Sequence, residues 1–156
     1  MRAAADIVVL RPGADAGAAA ELLKAFFAEE GFSTPGWRIE ANLRQMLELD
    51  ICRVVVARAG GEAVAVATLS LDFGIEFGWA AEIGDLYVAP AARGGGLARA
   101  LVEACCELAR QQGASNLHVT VTGHGETAGL KAFYARLGFA GDGRRILWRA
   151  IAADPA

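Results

Sequence analysis

The chain has 156 residues, of which 54% are hydrophobic and 21% charged, and it carries a formal net charge of −3. This composition excludes a disordered chain, and the acidic balance argues against a protein that follows nucleic-acid phosphates. The length predicts a single domain over residues 1–156 with a substantial core.

The first half of the chain is predicted to begin with a strand, continue with two helices and end in a β-hairpin. Its elements are strand Asp6–Leu10, helix Asp15–Ala28, helix Arg38–Asp50, and strands Cys52–Arg58 and Ala63–Leu71. Apolar residues recur at helical spacing in both helices, and Asp15 is placed to cap the first. Gly60-Gly61 is a tight-turn signal between the two strands.

The second half alternates strands and helices. Its elements are strand Ala80–Val88, helix Leu97–Gln112, strand Leu117–Thr122, helix Thr127–Leu137 and strand Arg144–Ile151. Gly113 and Gly138 are placed to end the two helices. The whole order, β-α-α-β-β-β-α-β-α-β, predicts an α/β protein of the α+β kind, with one mixed central sheet and helices on both faces.

A basic residue and three glycines, Arg93-Gly94-Gly95-Gly96, separate strand Ala80–Val88 from the helix that follows. Glycines leave backbone N–H groups uncovered, and a helix start adds unpaired donors and a positive dipole end. This combination predicts a diphosphate site, to which Arg93 adds positive charge. A P-loop is excluded because no Lys-Ser or Lys-Thr pair follows, and a dinucleotide fingerprint because Arg99 stands at the third glycine position.

The spacing of Arg93, Gly96 and Ala98 resembles the Gln/Arg-x-x-Gly-x-Gly/Ala motif of the GNAT superfamily of N-acetyltransferases. The resemblance runs from Glu82 to Phe139 and includes the segment AFYARLGF at its end. It implies the GNAT fold, an acyltransferase, and acetyl-CoA as co-substrate with its pyrophosphate on the glycine loop. The residues that it implies for cofactor binding are Leu86, Tyr87, Val88, Arg93, Gly94, Gly95, Gly96, Leu97, Ala98, Thr127 and Tyr134.

The same resemblance implies roles in acetyl transfer. Tyr134 takes the place of the tyrosine that protonates the departing thiolate, and its ordinary pKa of about 10 keeps it protonated at neutral pH. Glu82 and Asp85 are the candidates for the general base, with Glu82 preferred. A regular pleat would put these two on opposite faces of their strand, although the family often bulges this strand. Thr127 departs from the family, which commonly has Asn there.

The acceptor is expected at the first two helices and the loop between them, as the resemblance implies. Glu29 and Glu30 beside Phe32 suit a small ammonium-bearing molecule such as an aminoglycoside or a polyamine, although a solvated helix end accounts for the same residues. Small aminoglycoside acetyltransferases, which are antibiotic-resistance enzymes, share this length and acidic balance. A protein or peptide N-acetyltransferase and a non-catalytic acetyl-CoA-binding regulator remain alternatives.

Other kinds of site are not expected. Cys105 and Cys106 are neighbours, and His118 and His124 are isolated, so neither a disulfide framework nor a metal site is predicted. The apolar runs are too short to span a bilayer, and residues 1–12 lack a signal-peptide pattern. We therefore expect a cytoplasmic protein with no membrane or nucleic-acid partner, and leave open a homodimer.

Overall fold

The structure, a computed structural model, describes residues 5–152. Its elements are β1 (Asp6–Val9), α1 (Gly17–Glu30), α2 (Gly36–Glu48), β2 (Cys52–Ala59), β3 (Glu62–Gly74), β4 (Gly78–Val88), a 3₁₀ turn (Pro90–Ala92), α3 (Leu97–Gln111), β5 (Leu117–Val119), α4 (Gly123–Thr127) and α5 (Leu130–Arg136). The strands form one five-stranded sheet in the order β1-β2-β3-β4-β5. The pairings from β1 to β4 are antiparallel and β4 pairs with β5 in parallel, so the predicted mixed sheet is confirmed.

Both faces of the sheet are buried by helices. Val54 and Val56 of β2 point into a core with α1 and α2, whereas Val55 points into a second core with α3 and α5. This alternation follows from the strand pleat, which sends successive side chains to opposite faces. The apolar run in β2 therefore serves two cores, and helices lie on both faces as predicted.

The β2–β3 hairpin turns at the predicted glycine pair. Gly60 and Gly61 have φ angles of +61° and +88°, a region that favours glycine over other residues. Two adjacent positive φ angles match the tight turn whose twist suits an antiparallel pair. The predicted hairpin is confirmed.

A bulge interrupts the pairing of β3 with β4. Thr68 lies opposite Asp85 and Leu69 lies opposite Ile83, so Gly84 is an extra residue in β4. A side chain at Gly84 would start 3.2 Å from the Thr68 hydroxyl oxygen, which makes glycine the residue with the best fit. The bulge reverses the alternation of side chains along β4 and so decides which of them share a face.

Two predicted elements are corrected. The helix predicted over Thr127–Leu137 is two helices, α4 and α5, because Gly129 between them has a φ of +82°. The strand predicted over Arg144–Ile151 is wrong: the described part of the chain has no strand after β5, and this segment is exposed. A strand is stabilised by a neighbouring strand, and within one chain this segment is not placed against an edge of the sheet.

Candidate active site

The glycine loop gives α3 an open start. Gly94 and Gly96 have φ angles of +77° and +79°, and no other atom lies within 4 Å of where their side chains would be. The first helical hydrogen bond runs from the Ala100 N–H to the Gly96 carbonyl at 3.0 Å. The N–H groups of Leu97, Ala98 and Arg99 therefore precede the helical ladder and can bind an anion.

A gap opens between β4 and β5 beside this loop. The two strands pair only from Ala81 opposite Leu117 to Ile83 opposite Val119, whereas β4 continues to Val88. The Ala89 N–H donates to the Val64 carbonyl at 2.9 Å. Residue 89 is therefore hydrogen-bonded to β3, and in an antiparallel ladder such residues alternate with residues that are not. Residues 88 and 86 consequently turn their backbone groups away from β3 and toward the gap.

Arg93 ties the loop to the first helix. Its guanidinium donates to both carboxylate oxygens of Glu29, at 2.9 and 2.8 Å. Its Nε donates to the Val88 carbonyl at 3.0 Å, and its Cζ lies 5.5 Å from the centre of the Tyr87 ring. Arg93, the residue predicted to add positive charge at a diphosphate site, thus lies against α1 and the end of β4. Its contact with a diphosphate stays a prediction.

Glu30 makes a second connection from α1 across the gap. Its side chain is only 8% exposed, accepts a hydrogen bond from the Thr122 hydroxyl at 3.0 Å and lies 2.9 Å from Nδ1 of His124. The Thr122 hydroxyl oxygen also accepts from the Gly125 N–H at 3.0 Å and so caps α4. The two neighbouring carboxylates of α1 therefore hold the glycine loop and the start of α4 in place.

These features surround a cleft of about 460 Å³. The predicted residues that it brings together are Glu29, Glu30, Leu86, Tyr87, Val88, Arg93, Gly94, Gly96, Leu97 and Ala98. The predicted residues that do not line it are Phe32, Glu82, Asp85, Gly95, Thr127 and Tyr134. Phe32 instead packs edge-on against Phe27, with ring centres 5.2 Å apart, and the Thr127 hydroxyl donates to the Gly123 carbonyl at 3.1 Å.

A partly buried carboxylate lies on the α1/α2 side of β4. Asp85 accepts a hydrogen bond from the Thr68 hydroxyl at 2.6 Å. Burial raises the pKa of this carboxyl, and although the Thr68 hydrogen bond lowers it, the negative charge of Glu82 adds to the rise. Asp85 and Thr68 border a second, mostly apolar cavity of about 190 Å³ between α1, α2 and the sheet.

Glu82 shares a face with Asp85. Their partners on β3, Ser70 and Thr68, are two residues apart and therefore point the same way. The bulge thus brings together two carboxylates that a regular pleat would have separated. Glu82 is partly exposed, and its carboxylate lies 3.7 Å from Nε2 of His118 on β5.

A family model for acetyltransferases of the GNAT family matches residues 17–139. The chain belongs to this family. The predicted family and the predicted class of enzyme, an acetyltransferase, are thereby confirmed. No curated protein sequence matches the chain.

Solved structures share the fold over nearly the whole chain. An integron cassette protein from the mobile metagenome of Cole Harbour Salt Marsh is 27% identical with a TM-score of 0.75, over 95% of this chain and 91% of its own. Aminoglycoside N-acetyltransferase AAC(6')-Iy in complex with CoA is 20% identical with a TM-score of 0.81, over 96% of both chains. Ribosomal-protein-alanine N-acetyltransferase from Brucella melitensis biovar Abortus 2308 is 22% identical with a TM-score of 0.76, over 94% and 99%. These likenesses confirm the predicted GNAT fold.

In this GNAT acetyltransferase Tyr134 lies on the other face of the sheet from Asp85. It belongs to the core under α3 and α5, with its ring centre 5.1 Å from that of Phe133 and 5.3 Å from that of Phe139. Burial raises the pKa of Tyr134 to about 12, with a smaller contribution from Cys105. The phenol is therefore protonated throughout the neutral range.

Sequence reasoning missed the polar partners of the site. Thr68 lies 17 positions from Asp85, and His124 lies 94 positions from Glu30, so no local spacing reveals either contact. Thr122 is the exception, because a Thr just before a short helix is a cap signal. Among residues 5–152, no group of three or more potential metal ligands is present, and no helix has the length and hydropathy to cross a membrane.

Replacing Asp85 by Asn should raise the thermal stability of the protein at neutral pH. Because burial raises the pKa of this carboxyl, the folded state holds its proton more tightly than the unfolded chain. The resulting stability is complete below the unfolded pKa of about 4 and is lost as the pH rises through the folded pKa. Asp85→Asn abolishes that loss, so its Tm should exceed that of the wild type at about pH 8 and equal it near about pH 4.

Glu82→Gln is the matched control, because it removes one carboxylate from the same face of β4 at a partly exposed position. Its Tm at high pH should rise by less than that of Asp85→Asn, because it removes only the smaller contribution that the charge of Glu82 makes to the pKa of Asp85. A Tm for Asp85→Asn below that of the wild type at high pH would contradict this account of Asp85.

Proposed function

We propose that the chain is an acetyl-CoA-dependent N-acetyltransferase that acetylates a primary amine of a small cationic acceptor. The observation that carries the proposal is the gap beside β4, which ends at the open start of α3, together with the partly buried Asp85 on the same strand. A chain that only binds the cofactor needs the loop and the gap but has no use for a buried carboxylate of raised pKa. The acceptor cannot be taken from the fold, because related structures are named for aminoglycoside and for ribosomal-protein acetylation.

The residues present fit acetyl-CoA. The free N–H groups of residues 97–99 and the exposed glycines would hold its diphosphate, and the backbone groups of Leu86 and Val88 would pair with its extended arm. Bound there, acetyl-CoA supplies an acetyl thioester at the gap. The chain's contribution is to fix that group in place and to exclude water around it.

We assign proton removal from the amine to Asp85 rather than to Glu82. Asp85 is partly buried, has a raised pKa and borders the cavity between α1, α2 and the sheet, through which we propose that the amine enters. A carboxylate is a more effective base when its pKa is closer to the working pH. Glu82 is partly exposed beside His118 and shapes the electrostatics of the same face.

We assign proton donation to the leaving thiolate to Tyr134, which lies in the core on the other face of the sheet. Its phenol keeps its proton at neutral pH, so it can donate to the sulfur of the leaving thiolate as the bond from sulfur to the acetyl carbon breaks. The new bond joins the amine nitrogen to the acetyl carbon, and the ammonium proton passes to Asp85. In this proposal the two proton-transfer groups lie on opposite faces of the sheet.

The first test is a screen of amines, aminoglycosides and peptides with acetyl-CoA, in which release of free thiol is measured. Small polycationic amines should be the best acceptors, because the cleft and its rim carry Glu29 and Glu30. If no amine releases thiol above the hydrolysis background while acetyl-CoA still binds, the chain is a cofactor-binding protein and the proposed activity is wrong.

Gly96→Glu should abolish binding of acetyl-CoA measured by calorimetry. A glutamate here would adopt an unfavourable backbone conformation and place a negative charge where the diphosphate would lie. Gly113→Glu is the matched control: Gly113 has a φ of +80° and equal space around it, but it lies just after the other end of α3. If both variants lose binding, the loss comes from damage to α3 rather than from the proposed diphosphate site.

Rate-versus-pH profiles should separate the base from the acid. Asp85→Asn should lower kcat by about 10²–10⁴-fold and remove the acidic limb of the profile, whereas Glu82→Gln should keep that limb. Tyr134→Phe should lower kcat with little change in cofactor affinity, because it removes only a proton donor.

If Glu82→Gln loses the acidic limb and Asp85→Asn keeps it, the general base is Glu82 and not Asp85. If Tyr134→Phe keeps the full rate, water or another group protonates the thiolate.

Glu29→Gln should raise KM for a polycationic amine and lower KM for acetyl-CoA. The first effect follows from the loss of a negative charge at the cleft, and the second from the release of Arg93 from its carboxylate partner toward the diphosphate. Because the Glu29 side chain is 39% exposed, each change should be within about tenfold and should shrink in salt. Glu103→Gln, an exposed charge loss on α3, should change neither constant.

Opposite movement of the two KM values is the signature of this arrangement. A general loss of folding would instead raise both. If neutral or anionic amines prove the best substrates, the cationic acceptor is wrong, whereas the acetyltransferase activity stands.

A further inference from the structure

A carboxylate–imidazole pair lines the cleft. Glu30, the last residue of α1, has a side chain that is only 8% exposed, and its Oε1 lies 2.9 Å from Nδ1 of His124. Its Oε2 accepts a hydrogen bond from the Thr122 hydroxyl at 3.0 Å. Both oxygens of this carboxylate are therefore occupied, and one of them holds an imidazole ring in place.

The pairing fixes the tautomer of His124. An ionised carboxylate only accepts hydrogen bonds, so the contact places a proton on Nδ1 and leaves Nε2 as the basic nitrogen of the neutral ring. The side chain of His124 is 53% exposed and lines the cleft. A proton taken up by Nε2 would put positive charge beside Glu30, whose own charge is disfavoured by burial and by the negative end of α1. The carboxylate therefore orients the ring and stabilises its cationic form.

Close packing holds His124 in position. The Thr122 hydroxyl oxygen accepts from the Gly125 N–H at 3.0 Å and so caps α4. A side chain at Gly125 would start 3.0 Å from a methyl carbon of Leu130 and 3.3 Å from the Thr122 hydroxyl oxygen. His124 thus stands between a capping residue and a glycine that has little room for a larger side chain. A fixed orientation of this kind is what a proton-transfer group needs.

His124 also borders the gap between β4 and β5. β5 ends at Val119, and His124 follows five residues later, whereas β4 continues to Val88. His124 lines the same cleft as Leu86 and Val88. In the proposed function the backbone of those two residues pairs with the extended arm of acetyl-CoA, and the present inference rests on that placement. The imidazole then lies beside the path of the arm.

We propose that the Glu30–His124 pair is a second general base, which allows the enzyme to acetylate the hydroxyl of a small cationic alcohol as well as an amine. An alcohol is a much weaker acid than an ammonium, so it needs a positioned base to take its proton as the new bond forms. An imidazole oriented by a carboxylate activates hydroxyl groups on several unrelated folds. The Glu29 carboxylate and the Phe26 ring line the same cleft and suit the cationic group of such an alcohol.

The proposed step conserves atoms and charge. The hydroxyl proton passes to Nε2 of His124 as the hydroxyl oxygen forms a bond to the acetyl carbon, and the bond from that carbon to sulfur breaks. The leaving thiolate takes a proton from Tyr134, as in the amine reaction, and the imidazolium returns a proton to the phenolate through water. The products are an acetate ester and a free thiol, so the hydroxyl proton ends on sulfur.

Choline tests this activity, because it has a hydroxyl and a quaternary ammonium but no N–H to acetylate. With acetyl-CoA and choline, the enzyme should form the acetate ester and free thiol in equal amounts, measured by mass spectrometry and thiol release. Tetramethylammonium is the matched control, because it carries the cation without the hydroxyl and should release no thiol above the background. An enzyme that acetylates an amine but forms no ester from choline overturns this inference and leaves the proposed function standing. An enzyme that acetylates neither overturns both.

Variants test whether the pair is the base, with the rate of ester formation divided by the rate for a singly charged amine as the readout. His124→Gln should lower this ratio by at least about 10²-fold, and Glu30→Gln should lower it in the same direction. Asp85→Asn should raise it, because Asp85 is the proposed base for the amine and borders the other cavity.

His118→Gln is the matched control for His124→Gln. His118 is also 53% exposed and lies 3.7 Å from the carboxylate of Glu82, but it does not line the cleft. Its ratio should equal that of the wild type. A ratio that stays at the wild-type value in His124→Gln, or that falls equally in His118→Gln, would overturn the role of the pair.

Discussion

The arrangement of the site depends on one extra residue in β4. Gly84 forms the bulge opposite Thr68 and Leu69, where there is little room for any larger side chain. Without it, Glu82 and Asp85 would point to opposite faces, and residues 86 and 88 would change the side to which they turn their backbone groups. The same bulge therefore positions the partly buried carboxylate and turns the backbone groups of residues 86 and 88 toward the gap between β4 and β5.

The end of α1 makes the second constraint, through two neighbouring carboxylates with different partners. Glu29 pairs with Arg93 of the glycine loop, and Glu30 joins Thr122 and His124 at the start of α4. A negatively charged cofactor would compete with Glu29 for Arg93, whereas a positively charged acceptor would compete with Arg93 for Glu29. Each ligand would therefore act on the Glu29–Arg93 pair from the opposite side. Under the proposed function, occupancy of the two sites would thus be electrostatically linked, and such a linkage acts equally in both directions.

The features that the sequence predicted correctly are those encoded over a few residues. The Gly60-Gly61 turn, the glycines before α3 and the order of elements up to β5 each depend on local backbone preference or on periodicity. The contacts of Asp85 with Thr68 and of Glu30 with His124 join residues far apart in the chain, and only the fold brings them together. The strand predicted over Arg144–Ile151 failed for a related reason: its β-rich sequence is a property of the segment, whereas a strand also needs an edge to pair with.

Burial gives Tyr134 and Asp85 the opposite properties that the proposed mechanism of acetyl transfer needs. In both groups, removal from water disfavours the charged form and raises the pKa. For a phenol this secures the proton that the leaving sulfur requires, and for a carboxyl it makes the conjugate base stronger at neutral pH. In the proposed mechanism, burial on the two faces of the sheet would thus supply an acid on one side and a base on the other. Because the same burial raises the pKa of Asp85 and disfavours its charged form, it sets the stability of the fold against the basicity of this residue.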